Sequence, residues 1–192
     1  ISIIYGSSNL YKQGQKFVWA GKVIIFPRYR NKTRQNNIAL IKTKTNMTLD
    51  GQESKAIELP RVVYEPPIGQ NVLVSGYGDV DEKPIKKPIE DPSKYDLKAA
   101  NFTVKNRSEC KLKYSDKYTE NETFCAQGCS GVYIERGDIG DPAVQKNETK
   151  IDVLAGLVSY ADLAMKNSLT IFIKVGSYVF WIQDVMKNKT KS

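Results

Sequence analysis

Gly137-Asp138-Ile139-Gly140-Asp141-Pro142 is a stretch of turn formers wrapped around one branched apolar side chain. Glycine, aspartate and proline favour turns for separate reasons: positive-φ freedom, local side-chain hydrogen bonding and a fixed φ. The stretch therefore joins elements and does not span one. On either side of it, apolar segments of strand length recur at 1–5, 17–26, 38–41, 72–75, 99–104, 151–159 and 171–175. Val, Ile, Tyr and Phe dominate these segments, and Gly and Pro collect between them. That is the rhythm of an all-β protein built from antiparallel strands.

Two stretches break the rhythm. Residues 79–96 set Pro84, Pro88 and Pro92 among Lys, Asp and Glu, and read as an exposed loop. Ser177 is placed to cap a helix whose Tyr178, Trp181, Ile182, Val185 and Met186 recur at helical spacing, which predicts an amphipathic helix over 177–188 packed on the core. The 192 residues, 41% hydrophobic, suffice for one domain or two tightly packed halves. No apolar run approaches the length of a membrane-spanning helix, and no repeat, P-loop or dinucleotide fingerprint is present. With no histidine and three unclustered cysteines, neither a metal site nor a cofactor is expected.

Asn-x-Ser/Thr acceptors stand at Asn31, Asn46, Asn101, Asn106, Asn121, Asn147 and Asn188, a density that points to a secretory route and an extracellular location. Ile1 is neither an initiator methionine nor the start of a signal peptide, so processing, trimming or truncation before it is expected. Cys110 and Cys125 are spaced to close a short disulfide loop, worth about 3 kcal/mol through the unfolded state. Cys129 is left to pair elsewhere in a longer chain, to pair with another molecule, or to stay a buried thiol. A net charge of +8 and a pI near 9.2 permit binding to polyanions such as glycosaminoglycans, to anionic membrane surfaces or to acidic proteins. The lysines are scattered singly, with no dense basic run interleaved with aromatics, so nucleic-acid binding is not expected.

Several segments taken together resemble one family, the trypsin-like serine proteases. Asn36-Asn37-Ile38-Ala39-Leu40-Ile41-Lys42 is similar to the strand that carries the catalytic aspartate, with Asn37 at the aspartate position. Val74-Ser75-Gly76-Tyr77-Gly78 resembles Ser-Gly-Trp-Gly, and Phe124-Cys125-Ala126 resembles Cys-Ala-Gly. The opening stretch, Gly137 to Pro142, resembles the Gly-Asp-Ser-Gly-Gly-Pro around the nucleophile. Gly156-Leu157-Val158-Ser159-Tyr160, Ile171-Phe172-Ile173-Lys174-Val175 and Trp181-Ile182 follow in the family's order. The resemblance implies two antiparallel six-stranded β-barrels of the chymotrypsin type with a C-terminal α-helix. Residues 1–80 would be the remainder of the first barrel, 81–176 the second, and 177–188 the helix. Ile1 would then fall after the segment that holds the freed N-terminus and the catalytic histidine.

Acyl transfer needs a nucleophilic hydroxyl or thiol, a base, and a carboxylate that holds the base in its working tautomer. By the resemblance, Ile139 stands at the nucleophile and supplies nothing that can attack. Losing that serine costs about 10⁶ in turnover, roughly 8 kcal/mol of transition-state stabilisation. Asn37 in place of the carboxylate would by itself cost on the order of 10⁴ through tautomer choice. Tyr133 falls at the floor of the specificity pocket, next to Ser159, with Ala161 and Thr170 at its walls, so an occluded pocket is implied. Glu135 and Leu163 take both half-cystine positions of the disulfide that braces it. Asp138 matches the aspartate that pairs with the freed N-terminus, and Gly137 an oxyanion-hole donor, both implied to serve the fold. Asp141, where the family has glycine, implies a remodelled loop.

Within the family the chain resembles the inactivated protease paralogues of the scabies mite, relatives of mite group 3 allergens. Mite trypsins have a similar run to Tyr5-Gly6-Ser7, and a similar Ala39-Leu40-Ile41-Lys42 followed by Met47-Thr48-Leu49. This resemblance implies a secreted, non-catalytic protein that binds host complement components and inhibits complement activation. The alternative reading is a pseudo-protease that sequesters substrates or inhibitors of active proteases. A hydrolase with unusual catalysis would have to use Ser130, Ser159 or Cys129 as nucleophile. The face free of the seven acceptor asparagines is the expected binding surface.

Overall fold

The computed structural model describes residues 1–11, 15–78, 91–165 and 168–187. Most of the expected loop at 79–96 and the acceptor Asn188 lie outside these residues. Of that loop, residues 92–95 form a 3₁₀ turn entered through Asp91, whose Oδ1 accepts from Ser93 N at 3.0 Å and Ser93 Oγ at 2.6 Å.

Three antiparallel strands form the first sheet: β1 (Ser2–Tyr5), β2 (Lys16–Ile25) and β3 (Ala39–Thr43). Phe17, Trp19, Val23 and Ile25 of β2 are exposed, and the β2–β3 pairing shifts register between Ala20 and Lys22. Gly21 occupies that bulge, where a Cβ would come within 3.3 Å of the Lys42 carbonyl oxygen.

The second unit is a closed barrel. Its staves are β4 (Asn71–Gly76), β5 (Lys98–Val104), β6 (Thr123–Gly128), β7 (Pro142–Lys146), β8 (Asp152–Ala161) and β9 (Thr170–Lys174), in the spatial order β4-β5-β6-β9-β8-β7. The barrel therefore starts before the boundary expected at 81. The period-2 pattern of β4 explains why: Val72 and Val74 point inward and are buried, while Leu73 between them is exposed. Inside, Phe124 stacks on Phe172 with centroids 5.0 Å apart. Gly156 makes room, since a Cβ there would lie 2.7 Å from the Phe124 ring.

Every residue of β9 is buried. One of its faces fills the barrel, and the other, with Ile173, packs in a second cluster with Ile38, Tyr178 and Ile182. That cluster joins the two units, and Phe26, packed against it, meets Tyr178 and Trp181 edge-on at 5.0 and 5.1 Å. The helix that carries Ile182 is α2 (Val179–Lys187), preceded by a 3₁₀ turn at Val175–Tyr178. Ser177 does not cap it: the Ser177 hydroxyl donates to the Asn121 carbonyl at 2.6 Å, because the 3₁₀ turn places it against the residues before β6. Tyr178 and Ile182 are buried as the spacing predicts, whereas Met186 is 63% exposed.

An additional helix, α1 (Arg107–Lys113), is capped by Asn106, whose Oδ1 accepts from Ser108 N at 3.1 Å. It carries Cys110, disulfide-bonded to Cys125 of β6 at a Cα–Cα distance of 5.9 Å. Beside it, Lys174, almost wholly buried, reaches Glu65 Oε2 at 2.6 Å and the Glu120 carbonyl at 2.9 Å. Arg107 completes that network, at 2.7 Å from Glu65 and 2.5 Å from Glu120. Among the described residues no helix is long and apolar enough to cross a membrane.

Candidate functional site

Between buried Ile134 and buried Ala143 the chain runs out to the surface and back. Gly137 and Gly140 sit at φ of +103° and +104°, a backbone region that glycine enters without strain. Between them the chain turns so that Asp138 points inward and is 9% exposed, while Ile139 points outward and is 45% exposed. The turn is pinned on both sides: Gly140 N donates to the Val158 carbonyl at 2.8 Å, and Val158 N to the Asp141 carbonyl at 2.9 Å. Ile139 is thus held on a rigid, glycine-framed turn with only hydrocarbon to offer.

Asn37, just before β3, lies at the junction of the two units. Its Nδ2 donates to Ser159 Oγ at 3.1 Å across 122 positions of sequence, and Ser159 is 3% exposed. Two of the residues singled out in the sequence are therefore brought together. Ala161 and Thr170, register partners on β8 and β9, are 9% and 1% exposed, and Tyr133 is half-buried. Thr170 Oγ1 is enclosed with no hydrogen-bond partner among the described residues. Glu135 gives its N–H to Asp138 Oδ2 at 2.8 Å, and Leu163 is 52% exposed.

The candidate nucleophiles are dispersed. Ser159 Oγ is engaged by Asn37, Ser130 is exposed in a 3₁₀ turn at φ +53°, and Cys129 is a half-buried free thiol 3.3 Å from Thr103 Oγ1. Residues 1–192 contain no histidine to serve any of the three as a base. The acceptor asparagines Asn31, Asn46, Asn101, Asn106 and Asn121 are exposed, and Asn147 is half-buried at a turn where its Oδ1 accepts from Thr149 and Ile151.

A second carboxylate stands beside Asp138. Asp141 borders a cleft of about 470 Å³ also lined by Gly76, Lys98, Tyr133 and Glu135. Burial, then the neighbouring Asp138 charge and hydrogen bond, push its carboxyl from the usual value near 3.8 up to about 7. Its Oδ2 fills the space over Gly76, where an added Cβ would lie 1.6 Å away. In the sequence Asp141 stands out only as a change from glycine. The Asp-x-x-Asp spacing across a glycine turn was the signal that the two carboxyls meet.

The trypsin family's sequence profile matches residues 1–182. Serine protease 1 of Homo sapiens is 30% identical over 190 residues, 97% of this chain and 71% of that protein. Trypsin-4 of Rattus norvegicus is 31% identical over 192 residues, 98% of this chain and 72% of that one. Among solved structures, the scabies mite inactivated protease paralogues S-I1 and S-D1 each superpose with a TM-score of 0.81 at 38% identity. The match covers 97% and 98% of this chain, respectively, and 76% of each neighbour. A glycine-framed turn between β6 and β7, an Asn37–Ser159 bond between two β units, and a C-terminal helix closing them are thus the features of a chain that belongs to the trypsin family of serine proteases.

Proposed function

We propose that this chain is a secreted, catalytically inactive trypsin homologue that acts by binding host proteins, complement components foremost, and so restrains complement activation. The observation that carries the reading is Ile139, a hydrocarbon side chain at the tip of the glycine-framed turn. Asn37 bonded to Ser159 supports it, because an amide in that place cannot stabilise an imidazolium as a carboxylate does. The burial of Ser159, Ala161 and Thr170 is consistent with a pocket closed to substrate side chains. Similarity to two mite proteins described as inactivated protease paralogues agrees with loss of catalysis, and the acceptor asparagines agree with secretion.

Purified, glycosylated protein would be titrated into human serum while complement deposition on an activating surface is measured. A dose-dependent fall in deposition is expected, with complement proteins recovered on the immobilised chain. Unchanged deposition at high concentration would overturn the complement reading. Recovery of protease inhibitors in place of complement proteins would assign the chain to the sequestering class.

A further inference from the structure

We infer that the loop at 28–34, between β2 and β3, is a docking site for a sulfated polysaccharide. The inference is independent of whether the chain cleaves peptides. Arg28-Tyr29-Arg30-Asn31-Lys32-Thr33-Arg34 sets four cations at alternating positions with no acid among them. The structure makes this a built loop. Arg30 N donates to the Gln35 carbonyl at 3.0 Å, Asn36 Nδ2 to the Arg28 carbonyl at 3.1 Å, and Arg34 turns the chain at φ +59°. Lys117, from the segment after α1, ties the loop down by donating to the Lys32 carbonyl at 2.9 Å. Lys111 and Lys113 lie exposed on α1 just before it.

The four loop cations are all exposed, and among the described residues none of them is ion-paired. Elsewhere the chain does pair its cations, as at Lys16–Asp50, Arg107–Glu65 and Lys174–Glu65. Of the nearby acids, Asp116 pairs with Lys117 at 3.1 Å and Glu120 with Arg107, while Glu122 accepts the Asn36 N–H at 3.2 Å. Concentrated, unpaired positive charge on a fixed loop raises the local density of anionic partners and steers their approach.

The chemistry selects the partner. Three of the four loop cations are arginines, whose planar forks grip the oxygens of sulfate or phosphate two at a time. A single-stranded nucleic acid would need an aromatic platform for its bases. Tyr29, the loop's one aromatic, is half-buried with its hydroxyl bonded to Asn31 at 3.2 Å. A chain of sulfated sugars needs only the spaced charges.

Heparin is the probe. Affinity and its salt dependence would be measured for the chain both as secreted and with Asn31→Gln, because sugar on Asn31 would sit within the loop, and binding by the Asn31→Gln form alone would overturn the assignment. The comparison is with Arg28→Ala/Arg30→Ala/Arg34→Asn, asparagine tolerating the left-handed turn, and with Lys22→Ala/Lys42→Ala/Lys44→Ala on the first sheet, which removes the same charge. The loop variant is expected to lose at least about tenfold in affinity, with a salt slope shallower by about two to three, and the sheet variant less than about threefold. Circular dichroism and thermal melting confirm that each variant is folded. Equal losses in the two variants, no heparin binding at physiological salt, or equal binding to de-sulfated heparin or to DNA would overturn the assignment.

Discussion

Replacing Asp141 with asparagine should make the protein more stable in alkaline solution and leave it unchanged in acid. In the unfolded chain the carboxyl ionises near 3.8, whereas in the fold burial and Asp138 hold it protonated to about 7. Between those values the native state keeps a proton that the unfolded state has released, so stability falls as pH rises through the window and the full penalty is present above it. About three pH units at about 1.4 kcal/mol each set a ceiling near 4 kcal/mol. Asp141 is only partly buried, and solvent screening leaves roughly 2 kcal/mol of that. The substituted amide would keep the shape and a donor toward Asp138 without the charge. Urea unfolding of both proteins at half-unit steps from pH 4 to 8.5 is the assay. The two are expected to agree within about 0.5 kcal/mol at pH 4 and to diverge to roughly 2 kcal/mol in favour of the variant at pH 8. A gap independent of pH, or a less stable variant at pH 8, would refute the reasoning.

Gly76→Ala should cost about 1–3 kcal/mol by driving a methyl into the Asp141 carboxylate, and combining it with Asp141→Gly should recover most of the loss in the same denaturant assay. Glu65→Gln strips the carboxylate from buried Lys174 and should cost about 3 kcal/mol or more. Adding Lys174→Met should restore much of that stability, and a double-mutant cycle that comes out additive would show that the pair is not coupled.

The fold was legible because its marks are local strings. The Asn36–Lys42, Val74–Gly78 and Gly137–Pro142 segments can each be read without knowing what they touch, and they proved to be a strand start, a barrel stave with its turn, and the glycine-framed turn. What sequence missed depends on three-dimensional placement. β7 escapes the sequence pattern because Pro142-Ala143-Val144-Gln145-Lys146 is weakly β-forming; it is a strand because β4 and β8 flank it. Ser177 has the chemistry of a cap, but its hydroxyl goes to Asn121, a partner 56 positions away. The alternating Arg28, Arg30, Lys32 and Arg34 stand in one contiguous string, whereas the reach of Lys117 to the Lys32 carbonyl from another segment needs the fold. The residues at 37 and 139 can be read directly from the sequence. The bond from Asn37 to Ser159 and the meeting of Asp138 with Asp141 required the barrel and the turn to be folded.

Hydrolysis of a broad peptide library by the pure protein, followed together with labelling by serine- and thiol-reactive probes, tests the proposed loss of catalysis most directly. Turnover is expected to stay at the uncatalysed background with no stoichiometric label, since Ile139 has no atom to attack with. Saturable cleavage accompanied by one titratable covalent adduct per chain would contradict it.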